Sequence, residues 1–314
     1  KPHQLKCHRT SSIMRVTSSL LAFLVCKVGG QLCVDEYHEM DHSCILQSRG
    51  PELHIQPANL SFYGYVWADL PTDQSLMQDA PIPRPIQVDQ PSSDKWNFQT
   101  PRKDMMFSKC QQDATLAPIL KQIKDGFFVE TATGDGELGS NTIFYESLGW
   151  RGLLVEPGPD YFKIEAKHRK AWVFHGALSP TGKSMSLRLK PANESAQAFV
   201  TAFHVKAEPL QKLLEATGNT QNKVDFLSLR TEGSEAEVLE ATDFSKVMIG
   251  VLLVEMNKSD TNTQRVRDVM SKNGFKDLGR TKCQSGFADH VFISPTYMQN
   301  LHGISVPEHL AGLY

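Results

Sequence analysis

The sequence predicts an α/β fold whose mostly parallel sheet ends in a C-terminal antiparallel hairpin. Three observations carry this. From Asp113 onward, short apolar strands alternate with helical segments, the pattern of a sheet with helices on both faces. Strands one, two, four and five are continuous apolar runs, as strands covered on both faces must be. The last two strands follow each other with no helix between them, which joins them as a hairpin.

The elements are expected in this order. A first helix covers about 114–124, and Phe127 to Val129 lead the first strand at 126–130. Helix 140–149, which Ser140 and Asn141 can cap, leads to the second strand at 152–156. Helix 159–169 leads to the third strand at 171–175, and Met185 to Leu189 alternates like an extra strand. Helix 208–216 precedes the fourth strand, VDFLSL at 224–229, and helix 234–241 precedes the fifth, IGVLLVEM at 249–256. Helix 262–273 comes before short strands near 275–280 and 289–293.

The 314 residues have room for one large core plus a tail, or two modest domains. We divide them into a leader and signal peptide at 1–30, a Pro-rich lead-in at 31–112, the α/β domain at 113–300 and a tail at 301–314. Met14 and Arg15 precede the uncharged run Val16 to Cys26, and small Gly29 and Gly30 follow, which describes a secretory signal peptide. A short buried helix is the alternative for that run. Lys27 ends it before the roughly 17–25 residues of a membrane span, so membrane association stays open without a clear transmembrane segment. In the lead-in, Pro51, Pro57, Pro71, Pro81, Pro83, Pro85, Pro91 and Pro101 break long helices and central strands. Its aromatic patch, Phe62, Tyr63, Tyr65 and Trp67, fits a short strand or a docking segment.

Secretion implies the endoplasmic reticulum or Golgi lumen, or export, and there cysteines pair. Cys33, Cys44, Cys110 and Cys283 lie beyond the signal; 33 with 44 and 110 with 283 is the economical pairing, though spacing alone does not decide it. Their spacing does not suit zinc, so no metal site is expected. Asn59, Asn193 and Asn257 stand in glycosylation sequons. A net charge of −2 with interspersed signs gives no basic footprint, so nucleic acid is not an expected partner.

The candidate site lies between Gly126 and Glu156. Thr131 to Gly136 form a turn after the first strand, and Glu156 ends the second. A strand-end acid about twenty residues past such a turn can accept both hydroxyls of a ribose, which points to an adenosine-bearing ligand. Taken alone, each feature reads equally well as an ordinary turn or a solvated acid. A second cluster, Arg230, Glu232, Gly233 and Glu235, ends the fourth strand and faces the same crevice; Ser234 and Glu237 there read as a capping box. Glu255 and Asn257 end the fifth strand as a third polar group. His168, His175, His204 and His290 are isolated and read as surface or packing residues, and no Ser/His/Asp triad, H-E-x-x-H or phosphate loop occurs.

These residues resemble a known family. Phe128 to Glu137, SNT at 140–142, GWRGLLVEP at 149–157, VDFLSLRTEGSEAEVL at 224–239 and DHVFI at 289–293 are similar to FkbM-type methyltransferases, most of all to the animal Star-like branch. The resemblance implies a class I S-adenosylmethionine-dependent methyltransferase (Rossmann-like) fold, whose strand inventory the chain repeats. It implies S-adenosylmethionine contacts from Glu130, Ala132, Gly134, Asp135, Gly136, Asn141 and Glu156, with Glu232 and Arg230 at the catalytic end. The implied partner is a small-molecule or glycan hydroxyl acceptor, methylated on oxygen. For a Star-like protein it is instead a secretory client exported from the endoplasmic reticulum to the Golgi, without catalysis. Two positions depart from the family pattern: Ala132 stands at its first turn Gly, and Arg230 at its strand-four Asp.

Overall fold

A computed structural model describes residues 14–18, 21–28, 31–37, 64–67, 86, 88–90, 96, 98–158, 169–180, 182, 185–190, 202–231, 233–256, 260–281, 283 and 289–314. Most of the expected helix 159–169, Glu232, Cys44 and the sequon residues Asn59, Asn193 and Asn257 lie outside the described residues. The chain forms two compact units, Lys1–Asn59 and Leu60–Tyr314. In the first, Met14–Ser18, Leu21–Val28 and Gln31–Tyr37 make a three-stranded antiparallel sheet. The apolar run is therefore extended there, not the short helix weighed above.

The second unit is built on seven strands: β1 Phe127–Thr131, β2 Arg151–Glu156, β3 Trp172–His175, β4 Lys223–Leu229, β5 Met248–Glu255, β6 Lys276–Arg280 and β7 Asp289–Ile293. Their order across the sheet is β6-β7-β5-β4-β1-β2-β3. The strands from β1 to β5 pair in parallel, and β7 runs antiparallel to both β5 and β6. This is the class I methyltransferase sheet, with its closing antiparallel hairpin. The chain winds outward from β1 to β3, then returns to β4 on the other side of β1. That reversal leaves a crevice at the carboxyl ends of β1 and β4, where open α/β sheets bind ligands.

Alternation along each strand fills two cores. Phe127, Val129, Leu153, Val155, Leu227 and Leu252 pack on one face, under α3 (Leu210–Ala216), α4 (Glu235–Ala241) and α5 (Asp260–Lys272). Phe128, Leu154, Phe226, Val251 and Leu253 pack on the other, under α1 (Gln112–Leu120), α2 (Ile143–Ser147) and α6 (Pro295–His302). Each such side chain contributes about 1.5–3 kcal/mol on burial, so the continuous apolar runs are satisfied twice over. Gly152 is required for close approach, because a Cβ there would run into the Phe128 ring.

The buried charge in β4 is Asp225. Its carboxylate accepts from the amide of Phe127 at 2.8 Å and the Tyr297 hydroxyl at 2.7 Å, and pairs with His302 Nε2 at 2.8 Å. Burial, then the Asp225 charge, pushes the Tyr297 hydroxyl well above its ordinary value. These bonds dock α6 and the following segment, where Ile304 and Leu310 enter the second core. Residues 301–314 are thus packed against the domain.

Two local expectations are corrected. Helix 140–149 shrinks to α2, because residues 140–142 bond to Glu130 instead of entering the helix. The Ser234/Glu237 capping box does not form: Ser234 makes no side-chain cap, and Glu237 pairs with Arg265 at 2.6 Å. Glu235 takes over, accepting from the amides of Thr231 at 2.8 Å and Gly233 at 3.1 Å. In the lead-in, Gly64–Trp67 of the aromatic patch forms a strand antiparallel to Met185–Lys190. Cys110 and Cys283 form the expected disulfide, their Cα atoms 5.1 Å apart.

Candidate functional site

The crevice begins with β1, whose apolar register drives Glu130 into the interior, 2% exposed. A buried carboxylate needs partners, and the loop to α2 supplies them. Glu130 accepts from the Asn141 amide at 2.7 Å, the Ser140 hydroxyl at 2.8 Å and the Thr142 hydroxyl at 2.5 Å. Arg169, just ahead of β3 and 1% exposed, completes the knot. It donates to Glu146 at 2.6 Å, the Gly136 carbonyl at 2.9 Å, Ser140 Oγ at 3.1 Å and Thr142 Oγ1 at 2.9 Å, and lies 3.8 Å from Glu130. Glu130 and Arg169 therefore hold the turn in place from behind.

The turn is bent by left-handed residues. Ala132, Gly134 and Gly136 have φ of 52°, 59° and 75°. Glycine adopts such angles freely, whereas Ala132 is strained by roughly 1–2 kcal/mol. Its amide still bonds the Val155 carbonyl at 2.9 Å, which fixes the turn against β2. Asp135 closes the far side, accepting from the amides of Glu137 and Leu138 at 2.9 and 2.8 Å. Glu137 pins the lead-in, accepting from the amides of Gln99 and Thr100 at 2.7 and 2.6 Å.

Glu156 ends β2 with no solvent exposure. Its carboxylate accepts from the Gly134 amide and the Gly158 amide, each at 2.7 Å. The acid thus touches the turn itself. Asn141, fully buried, donates to Ser228 of β4 at 3.0 Å, and its Oδ1 has no hydrogen-bond partner.

The β4 side is different. Thr131 of β1 ties the two strand ends together, its hydroxyl donating to the Arg230 carbonyl at 2.8 Å and accepting from the Arg230 amide at 2.7 Å. The Arg230 side chain is 20% exposed and pairs with Asp289 of β7 at 3.2 Å. Burial pulls the guanidinium down, but the Asp289, Glu255 and Glu130 carboxylates outweigh it and hold its pKa above the ordinary value. Glu255 and Asp289 are register partners across β5 and β7, and Gln112 donates to Asp289 at 2.8 Å. The cation at the strand-four position is thus balanced by acids from neighbouring strands.

The structure brings Glu130, Ala132, Gly134, Asp135, Gly136, Asn141 and Glu156 together around one turn, with Arg230 across the crevice. Glu232 and Asn257 lie outside the described residues. Sequence reasoning assigns Arg169 no role, places Thr131 only as the start of the turn, and offers Asp289 only within the strand DHVFI. The one signal for Asp289 is its place at the start of an apolar strand. Among the described residues, no His, Cys, Asp or Glu group could hold a metal ion, and no helix is long and apolar enough to cross a membrane.

No curated protein matches the sequence. Among solved structures, an O-methyltransferase from Bacillus cereus in complex with SAH superposes with TM-score 0.36 at 12% identity, covering 59% of this chain and 81% of that one. A TehB-like SAM-dependent methyltransferase from Corynebacterium glutamicum gives 0.32 at 9%, covering 58% and 86%. A precorrin-6y C5,15-methyltransferase from Geobacter metallireducens gives 0.33 at 14%, covering 62% and 92%. Scores of this size add nothing to the strand order. The sequence itself is more specific: residues 133–276, from the turn after β1 to the first residue of β6, match the model of the methyltransferase FkbM domain.

Proposed function

We propose that this chain binds S-adenosylmethionine between β1 and β2 and transfers its methyl group to a hydroxyl of a small-molecule or glycan acceptor. The observation that carries the reading is Glu156, an acid without solvent exposure whose carboxylate sits 2.7 Å from the amide of the turn glycine Gly134. The residues fit the group: a Cβ on Gly134 would meet nothing within 4 Å, so the space over the turn is open. Asn141 Oδ1, on a side chain that reaches Ser228 of β4, is an unmatched acceptor.

When bound, S-adenosylmethionine supplies an electrophilic methyl on a positive sulfonium. Glu156 would hold the ribose hydroxyls, and the turn from Ala132 to Gly136 would hold the methionine end. Glu130 and Arg169 keep that turn rigid, so geometry is set before the ligand arrives. Arg230, with Asp289 and Glu255, leaves the β4 side without excess positive charge, which tolerates a cationic ligand. Glu232 accepts the acceptor hydroxyl's proton on its carboxylate.

Calorimetric titration of the full chain with S-adenosylmethionine and its homocysteine product tests this. Binding that disappears in Glu156→Ala, together with methyl transfer to a glycan or metabolite pool, is the expected result. No binding at millimolar ligand sinks it.

A second reading is a non-catalytic Star-like protein that assists export of client proteins from the endoplasmic reticulum to the Golgi. Arg230 favours it, because a guanidinium bound to Asp289 cannot act as the carboxylate it replaces. The 110–283 disulfide suits that compartment. Client export that survives Glu156→Ala would support this reading, and export lost together with cofactor binding would oppose it.

A further inference from the structure

The chain just ahead of α1 has firm anchors on either side. The amides of Phe107 and Ser108 donate to the Asp113 carboxylate at 2.8 and 3.0 Å. Asp113 is held in turn by Tyr145, whose hydroxyl donates to its carbonyl at 2.8 Å. Between these anchors lie Lys109 to Gln111 and the first residue of α1, Gln112, and they reach across to the β4 side of the crevice. Cys110 is bonded to Cys283, just past the end of β6, and both cysteines keep partial exposure. Gln112 accepts from the Cys110 amide and donates to Asp289 Oδ2, each at 2.8 Å. The same Oδ2 takes the Arg230 guanidinium at 3.2 Å. On the other side of Asp289, Thr281 closes the mouth of the β6–β7 hairpin. Its amide donates to the Asp289 carbonyl at 2.9 Å, and its hydroxyl accepts from the Asp289 amide at 3.2 Å. The disulfide thus joins the two segments that grip Asp289. Between Cys110 and Gln112 stands Gln111 with φ of 58°, a left-handed angle that persists only where the surroundings impose it.

We infer that the Cys110–Cys283 disulfide is a redox-sensitive clasp on the β4 side of the crevice. Its reduction releases Gln112 from Asp289 and loosens the Asp289–Arg230 pair. A dithiol reductant supplies the chemistry. One of its thiolates attacks a sulfur of the bridge, and its second thiolate resolves the mixed disulfide. The reductant leaves as its own disulfide, and the two cysteines gain two electrons and two protons. With the bridge open, Gln111 is free to leave its left-handed angle, which turns Gln112 away from β7. The β1–β2 side stays as it is, because Glu130 and Glu156 bond to the loop after β1, to Arg169 and to Gly158.

Hydrogen exchange of the full chain, read by mass spectrometry with and without dithiothreitol, tests the clasp. Peptides covering 110–113, 281 and 289 should exchange about tenfold faster after reduction, and those of β1 and β2 less than about twofold faster. The double variant Cys110→Ser with Cys283→Ser separates this bridge from the other cysteines. It should show the fast pattern without reductant and no further response to it at these peptides. In that variant Arg230 should react with phenylglyoxal faster than in the oxidised wild type, while the buried Arg169 stays unlabelled in both. Gln112→Leu, with the bridge intact, should speed the labelling of Arg230 as well. Exchange at 281 and 289 that ignores reduction overturns the clasp. So does an equal rise on both sides of the crevice, the mark of a purely structural cross-link, or Arg230 labelling unmoved in either variant. None of these outcomes depends on whether the β1–β4 crevice binds S-adenosylmethionine or transfers methyl groups.

Discussion

The two walls of the crevice hold buried charge in different ways. On the β1–β2 wall, backbone amides supply many of the bonds: Glu156 takes those of Gly134 and Gly158, and Glu130 takes that of Asn141. On the β4 wall, side chains from different strands answer one another, with Arg230 bonded to Asp289 and near Glu255. Amides stay where the chain path puts them, so an acid held by amides cannot change sign without stranding them. A charge held by side chains can be exchanged if its neighbours suit the newcomer. The first wall keeps its acids; the second carries Arg230 where an Asp is expected.

The largest effect should come from the knot behind the first wall. Arg169→Met removes the partner of Glu146 and Glu130, leaving two interior carboxylates without their cation. Breaking such a buried pair costs about 3–5 kcal/mol. In a unit of this size that lowers the melting temperature by roughly 10 °C. Urea denaturation of the variant measures it. A loss under 1 kcal/mol would mean that the amides alone support the wall.

On the second wall, Arg230→Asp should destabilise rather than repair, because it would bring a third carboxylate against Asp289 and Glu255. A loss of about 2–3 kcal/mol is expected, partly recovered by Asp289→Asn in the same chain. Restored stability or new methyl transfer in the single variant would break the contrast between the walls.

Glu156→Gln tests the first wall at the ligand. A carboxamide offers one acceptor oxygen where the carboxylate offers two, and its NH2 faces an amide donor. Affinity for S-adenosylmethionine should fall roughly ten- to a hundredfold, the weight of one charge-assisted bond. Unchanged affinity in the calorimeter would remove Glu156 from the site.

The walls also differ in how far the sequence announces them. The strands of the seven-stranded sheet were legible to within about a residue, since continuous apolar runs report burial on both faces: IGVLLVEM at 249–256 became Met248–Glu255. Glu156 and the turn glycines were legible because strand ends and left-handed turns leave local marks. Arg169 left none. It stands between His168 and Lys170 and reads as surface charge, and only the fold carries it to Glu130. The capping box failed for a related reason: Glu235, one residue beyond Ser234, is held by Asn262 of α5 at 3.0 Å and reaches the helix start first. Local pattern proposes partners, while tertiary contacts choose among them.

Ala132 gives the smallest effect and the finest probe of the first wall. Its φ of 52° strains any residue with a Cβ, at roughly 1–2 kcal/mol, and glycine would relieve that strain. Glycine also frees the unfolded chain, which takes back about 0.4–1 kcal/mol. Relief of strain outweighs that loss, so Ala132→Gly should stabilise by about 0.5 kcal/mol, a shift of one or two degrees in a calorimetric melt. The bond from residue 132 to the Val155 carbonyl survives, so the turn keeps its shape and affinity for S-adenosylmethionine should change less than about twofold. A larger gain in affinity would show that the Ala132 methyl group, not only its backbone angle, stands in the ligand's way. A loss of stability would show that the turn relaxes at residue 132, and the amide-held wall would then be softer than its bonds imply.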